Sequence, residues 1–157
     1  MTGTRLVPMP AERVPAWLDR TMTEHVASRM RSGESRTRAE ANAQGSRDRW
    51  FPGGAPLPDH FVWDVLDDDD AVVGYLWIGP FSAEAATEWW VFDVEIDAAH
   101  RRNGHARRAL EAGQQVAREH GATSIGLNVF GYNTGAQDLY EQLGYRVTST
   151  QMQLPLT

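Results

Sequence analysis

The 157-residue sequence contains no cysteine. This absence excludes disulfides, a thiolate nucleophile and cysteine-ligated metal sites. The sequence also lacks an apolar run of membrane-spanning length and a charged-then-apolar leader, so we expect a cytoplasmic protein without a membrane partner. Its formal net charge is −6, with 15 basic and 21 acidic side chains. A nucleic-acid-binding protein would carry a basic surface instead, so we expect no nucleic-acid partner.

The length and composition are those of one globular domain. Hydrophobic residues make up 41% of the chain and charged residues 23%, which is close to the average for such proteins. We therefore expect residues 1–157 to form a single domain. Residues 11–50 have the periodicity of two helices, and residues 60–157 contain most of the predicted strands.

The order of predicted elements indicates an α/β fold built in layers. Strands are predicted at residues 4–9, 61–66, 72–78, 89–96 and 124–130, and a last strand or pair of strands at residues 145–154. Four helices separate them, over about residues 11–31, 34–50, 105–120 and 134–143. The four aspartates at 67–70 lack the ligand spacing of a calcium loop, and the five histidines lack metal-ligand spacing, so we predict no metal site.

The connection from the strand at 89–96 to the following helix has the composition of an anion-binding loop. It reads Arg-Arg-Asn-Gly-His-Ala over residues 101–106. The first N–H groups of a helix have no partner within the helix, and the helix dipole favours an anion there. Gly104 would let the backbone approach that anion closely. The alternative is an ordinary strand-to-helix turn with a solvated arginine pair. Neither Gly-Lys-Ser/Thr nor Gly-x-Gly-x-x-Gly occurs, which argues against a nucleotide P-loop and a dinucleotide fold.

A second block lies at residues 128–145. Asn133 is a good helix N-cap, Leu139 and Leu143 share one face of the helix that follows, and Gly144 is suited to end it. Tyr140 lies near the end of this helix, within the run Leu-Tyr-Glu-Gln-Leu-Gly-Tyr at residues 139–145.

Together, the Arg-x-x-Gly-x-Ala loop and the second block resemble the GNAT superfamily of acyl-CoA-dependent N-acyltransferases, particularly its ribosomal-protein N-acetyltransferase-like members. The resemblance covers residues 60–157 well. It implies a single-domain fold with a mixed, mostly antiparallel sheet of six to seven strands and about four helices. It also implies a splay between two central strands, here residues 89–96 and 124–130, and acetyl-CoA as co-substrate.

The resemblance assigns the contacts to coenzyme A. The pyrophosphate would be bound by the loop and the start of its helix, and the strand edge would pair with the pantetheine arm like an added strand. Asn133 and Tyr140 would contact the cofactor from the other side. The implied binding residues are Val94, Glu95, Ile96, Arg101, Arg102, Asn103, Gly104, His105, Ala106, Arg107, Asn133 and Tyr140.

The resemblance also implies a catalytic acid, Tyr140, which would donate a proton to the departing thiolate. The alternative for Tyr140 is a helix residue that only packs its ring. In the resembled enzymes a glutamate on the later strand is the base, but the matching residue here is Asn128, whose amide cannot accept the proton. Glu95 and Asp93, on one face of the earlier strand by period-two alternation, are the candidates that remain, with Glu88 near its start. Each could instead be an ion-paired strand residue.

These observations predict an acetyl-CoA-dependent N-acetyltransferase that acts on a primary amine of a small molecule or a protein N-terminus by direct attack in a ternary complex. Two alternatives remain: a catalytically silent acyl-CoA-binding regulatory module of the same fold, and an interaction domain that uses the arginine-rich helices. The sequence does not identify the amine. A last strand at the sheet edge would also suit a homodimer.

Overall fold

The structure is a computed structural model that describes residues 3–156. The strands are β1 (Arg5–Pro8), β2 (Phe61–Leu66), β3 (Val72–Ser82), β4 (Ala85–Ile96) and β5 (Ser124–Leu127). The helices are α1 (Val14–Arg31), α2 (Arg36–Trp50), α3 (His105–Glu119) and α4 (Thr134–Gln142). The α/β class and the four predicted helices are therefore confirmed. Within residues 3–156 no helix is both long enough and apolar enough to span a lipid bilayer.

The five strands form one mixed sheet in the order β1-β2-β3-β4-β5. Strands β1 to β4 are antiparallel, and β5 runs parallel to β4. The mostly antiparallel arrangement is as predicted. The hairpin between β2 and β3 is also present, and Asp67 stabilises its turn by accepting hydrogen bonds from the N–H groups of Asp69 and Ala71 at 2.9 and 3.0 Å.

The prediction of six to seven strands was wrong, since residues 3–156 contain five. The error lies at residues 145–154, where a last strand was expected and no regular secondary structure is present. Tyr145 is held at the end of α4, where its N–H donates to the carbonyl of Tyr140 at 2.9 Å. The chain beyond Tyr145 has no strand beside it, and an isolated strand is not stable in water. For the same reason β5 is an edge strand rather than a central one.

The sheet carries a hydrophobic core on each face because neighbouring residues of β3 point to opposite sides. Tyr75 and Trp77 pack against α1 and α2, and the aromatic rings of Trp17 and Tyr75 meet edge to face at 5.4 Å. Leu76 and Ile78 pack against α3 on the other face, where Leu110 is fully buried. Both helical layers are therefore fixed to the same strands that carry the candidate site.

Candidate active site

Strand β4 extends beyond the strand that pairs with its outer side. β5 pairs only with residues 88–91 of β4, whereas β4 continues to Ile96. Phe92 forms a bulge, because Trp77 pairs with Asp93 and the next β3 residue, Ile78, pairs with Val91. Within residues 3–156 no strand covers the outer side of residues 92–96. The two strands thus separate at the position that the resemblance implies.

The hydrogen-bond pattern identifies which backbone groups face the gap. The N–H of Asp97 donates to the carbonyl of Val73 at 2.8 Å, and Glu95 is paired with Tyr75. Because bonded pairs alternate in an antiparallel ladder, the backbone of Glu95 points toward β3. The backbone groups of Val94 and Ile96 therefore point to the open side. Of the three predicted edge residues, these two can pair with an extended ligand, and Glu95 reaches the gap only through its side chain.

The loop at residues 101–104 leads into α3 with two residues in the left-handed region. Arg102 has φ +65° and Gly104, the N-cap of α3, has φ +78°. Across residues 3–156 no protein group accepts a hydrogen bond from the backbone N–H groups of residues 102–107. These donors lie at the positive end of α3, and such an arrangement favours an anion.

Two basic side chains at the loop and the start of α3, those of Arg101 and Arg107, contact other parts of the protein, whereas Arg102 is exposed. Arg101 turns back to β4, where its Nε donates to the carbonyl of Ile96 at 2.8 Å and its Nη2 lies 3.7 Å from Glu95 Oε1. Arg107 donates to Gln142 at 3.1 Å and so connects α3 to α4. The candidate anion site therefore consists mainly of backbone N–H groups, and Arg101 contributes its charge to the neighbouring cleft.

Arg108, which was not predicted as a site residue, stabilises the loop through its guanidinium group. Its guanidinium donates to the Thr4 hydroxyl at 2.9 Å and to the carbonyl of Asn103. The same Thr4 hydroxyl lies 2.8 Å from Nδ1 of His105, which is buried. The His105 side chain thus points toward the start of the chain, and Ala106 packs beside it against the α3 core. The Asn103 amide donates within the loop, to the carbonyl of His100 at 3.1 Å.

The open part of β4 forms one wall of a cleft of about 810 Å³. Helices α1 and α2 form the opposite wall, and the chain after β5 and helix α4 close one end. The predicted site residues of β4 and α4 and one residue of the loop lie together in this cleft, namely Asp93, Val94, Glu95, Ile96, Arg101, Asn133 and Tyr140. Glu88, at the start of β4, is exposed and is not among the cleft residues.

Asp93 has the properties of a base that works near neutral pH. Burial, together with the negative charges of Glu95 and Glu24, raises the pKa of its carboxyl to about 7, although a hydrogen bond to the carboxylate acts in the opposite direction. That bond comes from the Tyr75 hydroxyl, which lies 3.0 Å from Asp93 Oδ2 and 3.3 Å from Glu95 Oε2. The shared hydroxyl confirms that Asp93 and Glu95 lie on one face of β4.

Tyr140 reaches the cleft from α4. Asn133 caps this helix by accepting a hydrogen bond from the N–H of Ala136 at 3.2 Å. The Tyr140 ring packs edge to face against Tyr145, with ring centres 5.7 Å apart. Burial, and to a lesser extent the charges of Tyr145 and Asp93, raise the pKa of Tyr140 to about 12. Its hydroxyl therefore stays protonated at neutral pH and can donate a hydrogen bond.

The cleft residues that come from distant segments were not predicted from the sequence. Tyr75 was assigned only to a strand, although its place opposite Glu95 in the β3–β4 ladder makes it a partner of both acids. Glu24 of α1 also lines the cleft. At the far end are aromatic side chains with Arg49 above the Trp50 ring at 4.3 Å; they are Trp50, Phe81, Trp90 and Phe92. The sequence contains six tryptophans, and this count was the only sequence signal for the aromatic end of the cleft.

The chain is similar to known acetyltransferases over most of its length. The family model "Acetyltransferase (GNAT) family" matches residues 20–145. The Bacillus subtilis (strain 168) protein named as the uncharacterized N-acetyltransferase YycN is 30% identical over 151 residues, which are 94% of this chain and 95% of that protein. The crystal structure of B. subtilis YycN superposes with a TM-score of 0.84 at 28% identity, covering 99% of both chains. A mycothiol acetyltransferase of Corynebacterium glutamicum (strain R) is 28% identical over 110 residues, 70% of this chain and 34% of that protein. This chain belongs to the acetyltransferase (GNAT) family.

Proposed function

We propose that the protein is an acetyl-CoA-dependent N-acetyltransferase that acetylates a primary amine of a small molecule or a protein N-terminus. One observation carries the proposal: an anion-binding loop, an open strand edge and a cleft with candidate catalytic residues lie next to one another along β4. The open edge of β4 leads from the anion-binding loop to a cleft that holds Asp93 and Tyr140. A thioester on an extended, diphosphate-bearing carrier needs these three features: an anion site, a strand edge and a reactive end.

The residues at the loop and edge are suited to coenzyme A. The unpaired N–H groups of residues 102–107 would bind the pyrophosphate. Val94 and Ile96 would pair with the amides of the pantetheine arm as in β-augmentation. The carbonyl of Ile96 already accepts from Arg101, so we expect the N–H of Ile96 and both backbone groups of Val94 to carry most of this pairing. Asn133 and Tyr140 would contact the carrier from α4.

Asp93 is the base in our proposal. A primary amine is protonated at neutral pH and must lose a proton before it can attack. Asp93, with its pKa of about 7, can accept that proton in the working pH range. The neutral amine nitrogen then forms a bond to the acetyl carbon while the carbon–sulfur bond breaks and the electron pair leaves on sulfur; the second proton that the nitrogen loses protonates the departing thiolate. Glu95 holds Arg101 and shares Tyr75 with Asp93, and in this scheme it positions both groups.

Tyr140 stabilises the leaving group. A CoA thiol has a pKa of about 8.5, well below the value of about 12 for Tyr140. Complete proton transfer from the phenol to the thiolate is thus unfavourable by several orders of magnitude. We therefore assign to Tyr140 a hydrogen bond to the developing negative charge on sulfur, which accelerates departure without a stable phenolate.

Within a single domain of residues 1–157, two parts of the chain would have different roles. Residues 11–50 would form the acceptor side of the cleft, and residues 60–157 the acyl-CoA-binding core. The acids Glu24, Asp93 and Glu95 would attract a cationic amine to the cleft. A cytoplasmic location stays a prediction of the sequence.

The competing proposal is a silent acyl-CoA-binding module. It is favoured by Asn128, which lines the cleft just after β5 and cannot act as a base. A pooled panel of amines and short peptides, incubated with acetyl-CoA and assayed for free CoA thiol, separates the two proposals. Release that depends on one pool establishes the transferase. Tight acetyl-CoA binding without release from any pool would support the silent module instead.

Gly104→Ala should weaken acetyl-CoA binding about tenfold. The new Cβ would lie 2.7 Å from Nη1 of Arg108, and an alanine is strained at φ +78° by about 1 kcal/mol. Both effects displace the N–H groups that would bind the pyrophosphate. Titration calorimetry with acetyl-CoA measures the change in Kd.

Gly121→Ala is the matched control, because Gly121 lies at the other end of α3 with φ +85° and has open space around its Cβ position. It should cost similar stability and leave the Kd unchanged. Equal losses of affinity in the two variants would place the pyrophosphate elsewhere.

A further inference from the structure

The cleft beside β4 contains an arginine whose charge no acidic side chain neutralises. The arginines that line the cleft are Arg29, Arg49 and Arg101. Arg29 lies 2.7 Å from Glu34, and Arg101 lies 3.7 Å from Glu95. Across residues 3–156 no aspartate or glutamate forms an ion pair with Arg49. Arg49 is also exposed, so a ligand in the cleft can use its positive charge.

Contacts on two sides hold Arg49 at the end of the cleft. Its Cζ lies 4.3 Å from the centre of the Trp50 ring, and Trp50 is buried. Its Nη2 donates a hydrogen bond to the carbonyl of Phe81 at 3.2 Å. No protein group within residues 3–156 accepts a hydrogen bond from the other N–H groups of this guanidinium. A guanidinium that is stacked on a ring has its donors already oriented, which lowers the ordering cost of binding an anion.

The acidic side chains of the cleft form a separate group. The Tyr75 hydroxyl bonds to both Asp93 and Glu95. Glu24 belongs to the same group, because burial and the negative charge of Glu95 raise the pKa of Glu24. In the proposed reaction the amine is deprotonated at Asp93. The cationic form of the acceptor would therefore bind in this group before it reacts.

Aromatic side chains lie between the two charged parts of the cleft. Phe92 directly precedes the proposed base in β4, and its ring centre is 4.7 Å from that of Trp50, the ring on which Arg49 stacks. Phe81 and Trp90 line the same part of the cleft, with ring centres 5.1 Å apart. Phe81 is 42% exposed, so an apolar chain in the cleft would bury it further. A ligand that contacts both charged parts should therefore have an apolar middle.

We propose that the acceptor is an amino carboxylate whose amine and carboxylate stand at opposite ends of an apolar chain. The amine lies at Asp93, the carboxylate accepts hydrogen bonds from Arg49, and the chain between them contacts the aromatic side chains. An α-amino acid carries both groups on one carbon and cannot span the rings of Phe92 and Trp50. A carboxylate is favoured over a dianionic phosphate, because the acids of the cleft repel a second negative charge.

This proposal rests on the proposed acetyl transfer and names its acceptor. The products are the N-acetylated carboxylate and CoA. Acetylation removes the positive charge of the amine, so the product loses its attraction to the acidic group and keeps only the contact of its carboxylate with Arg49.

A panel of matched amines tests the charge at the far end of the acceptor. γ-Aminobutyrate, δ-aminovalerate and ε-aminocaproate are each compared with the alkylamine and the diamine of the same chain length, with CoA release as the assay. For at least one chain length, kcat/KM for the amino carboxylate should exceed that for the alkylamine by about tenfold or more, and the diamine should be the poorest substrate. Equal values for the carboxylate and the alkylamine at every length, or a preference for the diamine, would overturn the proposal.

Substitutions on α2 identify the group that recognises the carboxylate. Arg49→Gln should bring the ratio of kcat/KM for the amino carboxylate to that for the alkylamine close to one. Arg49→Glu should favour the diamine, because the charge at this end changes sign. Arg47→Gln is the matched control, since Arg47 donates to Asp19 at 2.8 Å and is not among the cleft residues. The control should keep the wild-type ratio, and circular dichroism checks that all variants are folded. A wild-type ratio in Arg49→Gln would contradict the assignment of Arg49.

Titration calorimetry distinguishes failure of this proposal from failure of the proposed acetyl transfer. The same compounds are titrated into wild type and Arg49→Gln in the presence of CoA, where no acetyl group can be transferred. If no amine is acetylated but the amino carboxylate binds wild type about tenfold more tightly than the variant, the carboxylate site stands and the transfer fails. Acetylation of alkylamines and amino carboxylates at equal rates would keep the transferase and overturn the carboxylate site. Equal binding of the amino carboxylate to both proteins would overturn it as well.

Discussion

Tyr140→Phe should lower kcat by about 100-fold while the Kd for acetyl-CoA changes little. The substitution removes one hydroxyl that lines the cleft and keeps the ring that packs against Tyr145. If this hydroxyl stabilises the developing thiolate, its loss affects the transition state and not the bound ground state. Steady-state CoA release and titration calorimetry on the same preparation measure the two quantities separately.

Tyr145→Phe is the matched control for this experiment. The Tyr145 hydroxyl accepts a hydrogen bond from Gln114 at 3.0 Å and is not among the cleft residues. The control should retain nearly full turnover. A Tyr140→Phe variant that is as active as wild type would leave Tyr140 with only its packing role, and a loss shared by both variants would indicate a disturbed α4.

Asp93→Asn should lower kcat/KM by about 100-fold or more above pH 7. The pH profile of the variant should also lack the rise in kcat/KM that we expect for the wild type below pH 7. The wild-type base is active when deprotonated. Because its pKa is about 7, we expect kcat/KM to rise about tenfold for each pH unit below that value and to level off above it. The variant has no carboxylate to titrate at this position, so its residual rate should lack that rise. A pH profile of CoA release from both proteins tests this.

The same substitution makes an independent prediction for stability. The folded pKa of Asp93 is raised above its ordinary value of 3.8. The folded state therefore binds the proton more tightly than the unfolded state, and the contribution of Asp93 to stability falls as pH rises from about 4 to about 7. Asp93→Asn should thus be at least as stable as wild type at pH 8, as thermal unfolding would measure.

Glu88→Gln, at the exposed start of β4, should change neither stability nor activity. If Asp93→Asn kept full activity while Glu95→Gln lost it, the base would be Glu95.

Local signals in the sequence were sufficient to predict the loop at residues 101–104 and the start of α3. Gly104 takes the left-handed conformation that favours glycine, and α3 starts directly after it. Asn133 caps α4 as its position predicts. These features depend on residues within a few positions of one another, so local sequence determines them.

Features that depend on distant segments were not predictable in the same way. The pKa of Asp93 follows from burial by other elements and from Tyr75, 18 residues earlier in the chain. The bulge at Phe92 sets which backbone groups face the cleft, and it depends on the register between β3 and β4. Arg101 was expected at the pyrophosphate because of its charge, but its side chain instead donates a hydrogen bond to the carbonyl of Ile96 on β4.

Residues 145–154 show a different limit of prediction from the sequence. Their alternating side chains predicted a strand, and the prediction of a strand in the chain's own sheet was wrong. Period-two alternation shows that one face of a segment is suited to burial, but it does not identify the surface that buries it. A strand also needs a neighbour with free backbone groups, and nothing in residues 145–154 specifies that neighbour.

The most direct test of the catalytic account is a single-turnover reaction with enzyme in excess over acetyl-labelled acetyl-CoA, in the presence of the amine identified by the pooled panel. The account predicts that the label passes from acetyl-CoA to the amine at the rate of thiol release, with no labelled protein at any time. Label that accumulates on the protein before it reaches the amine, or that appears as free acetate, would contradict direct attack by an amine in the cleft beside β4.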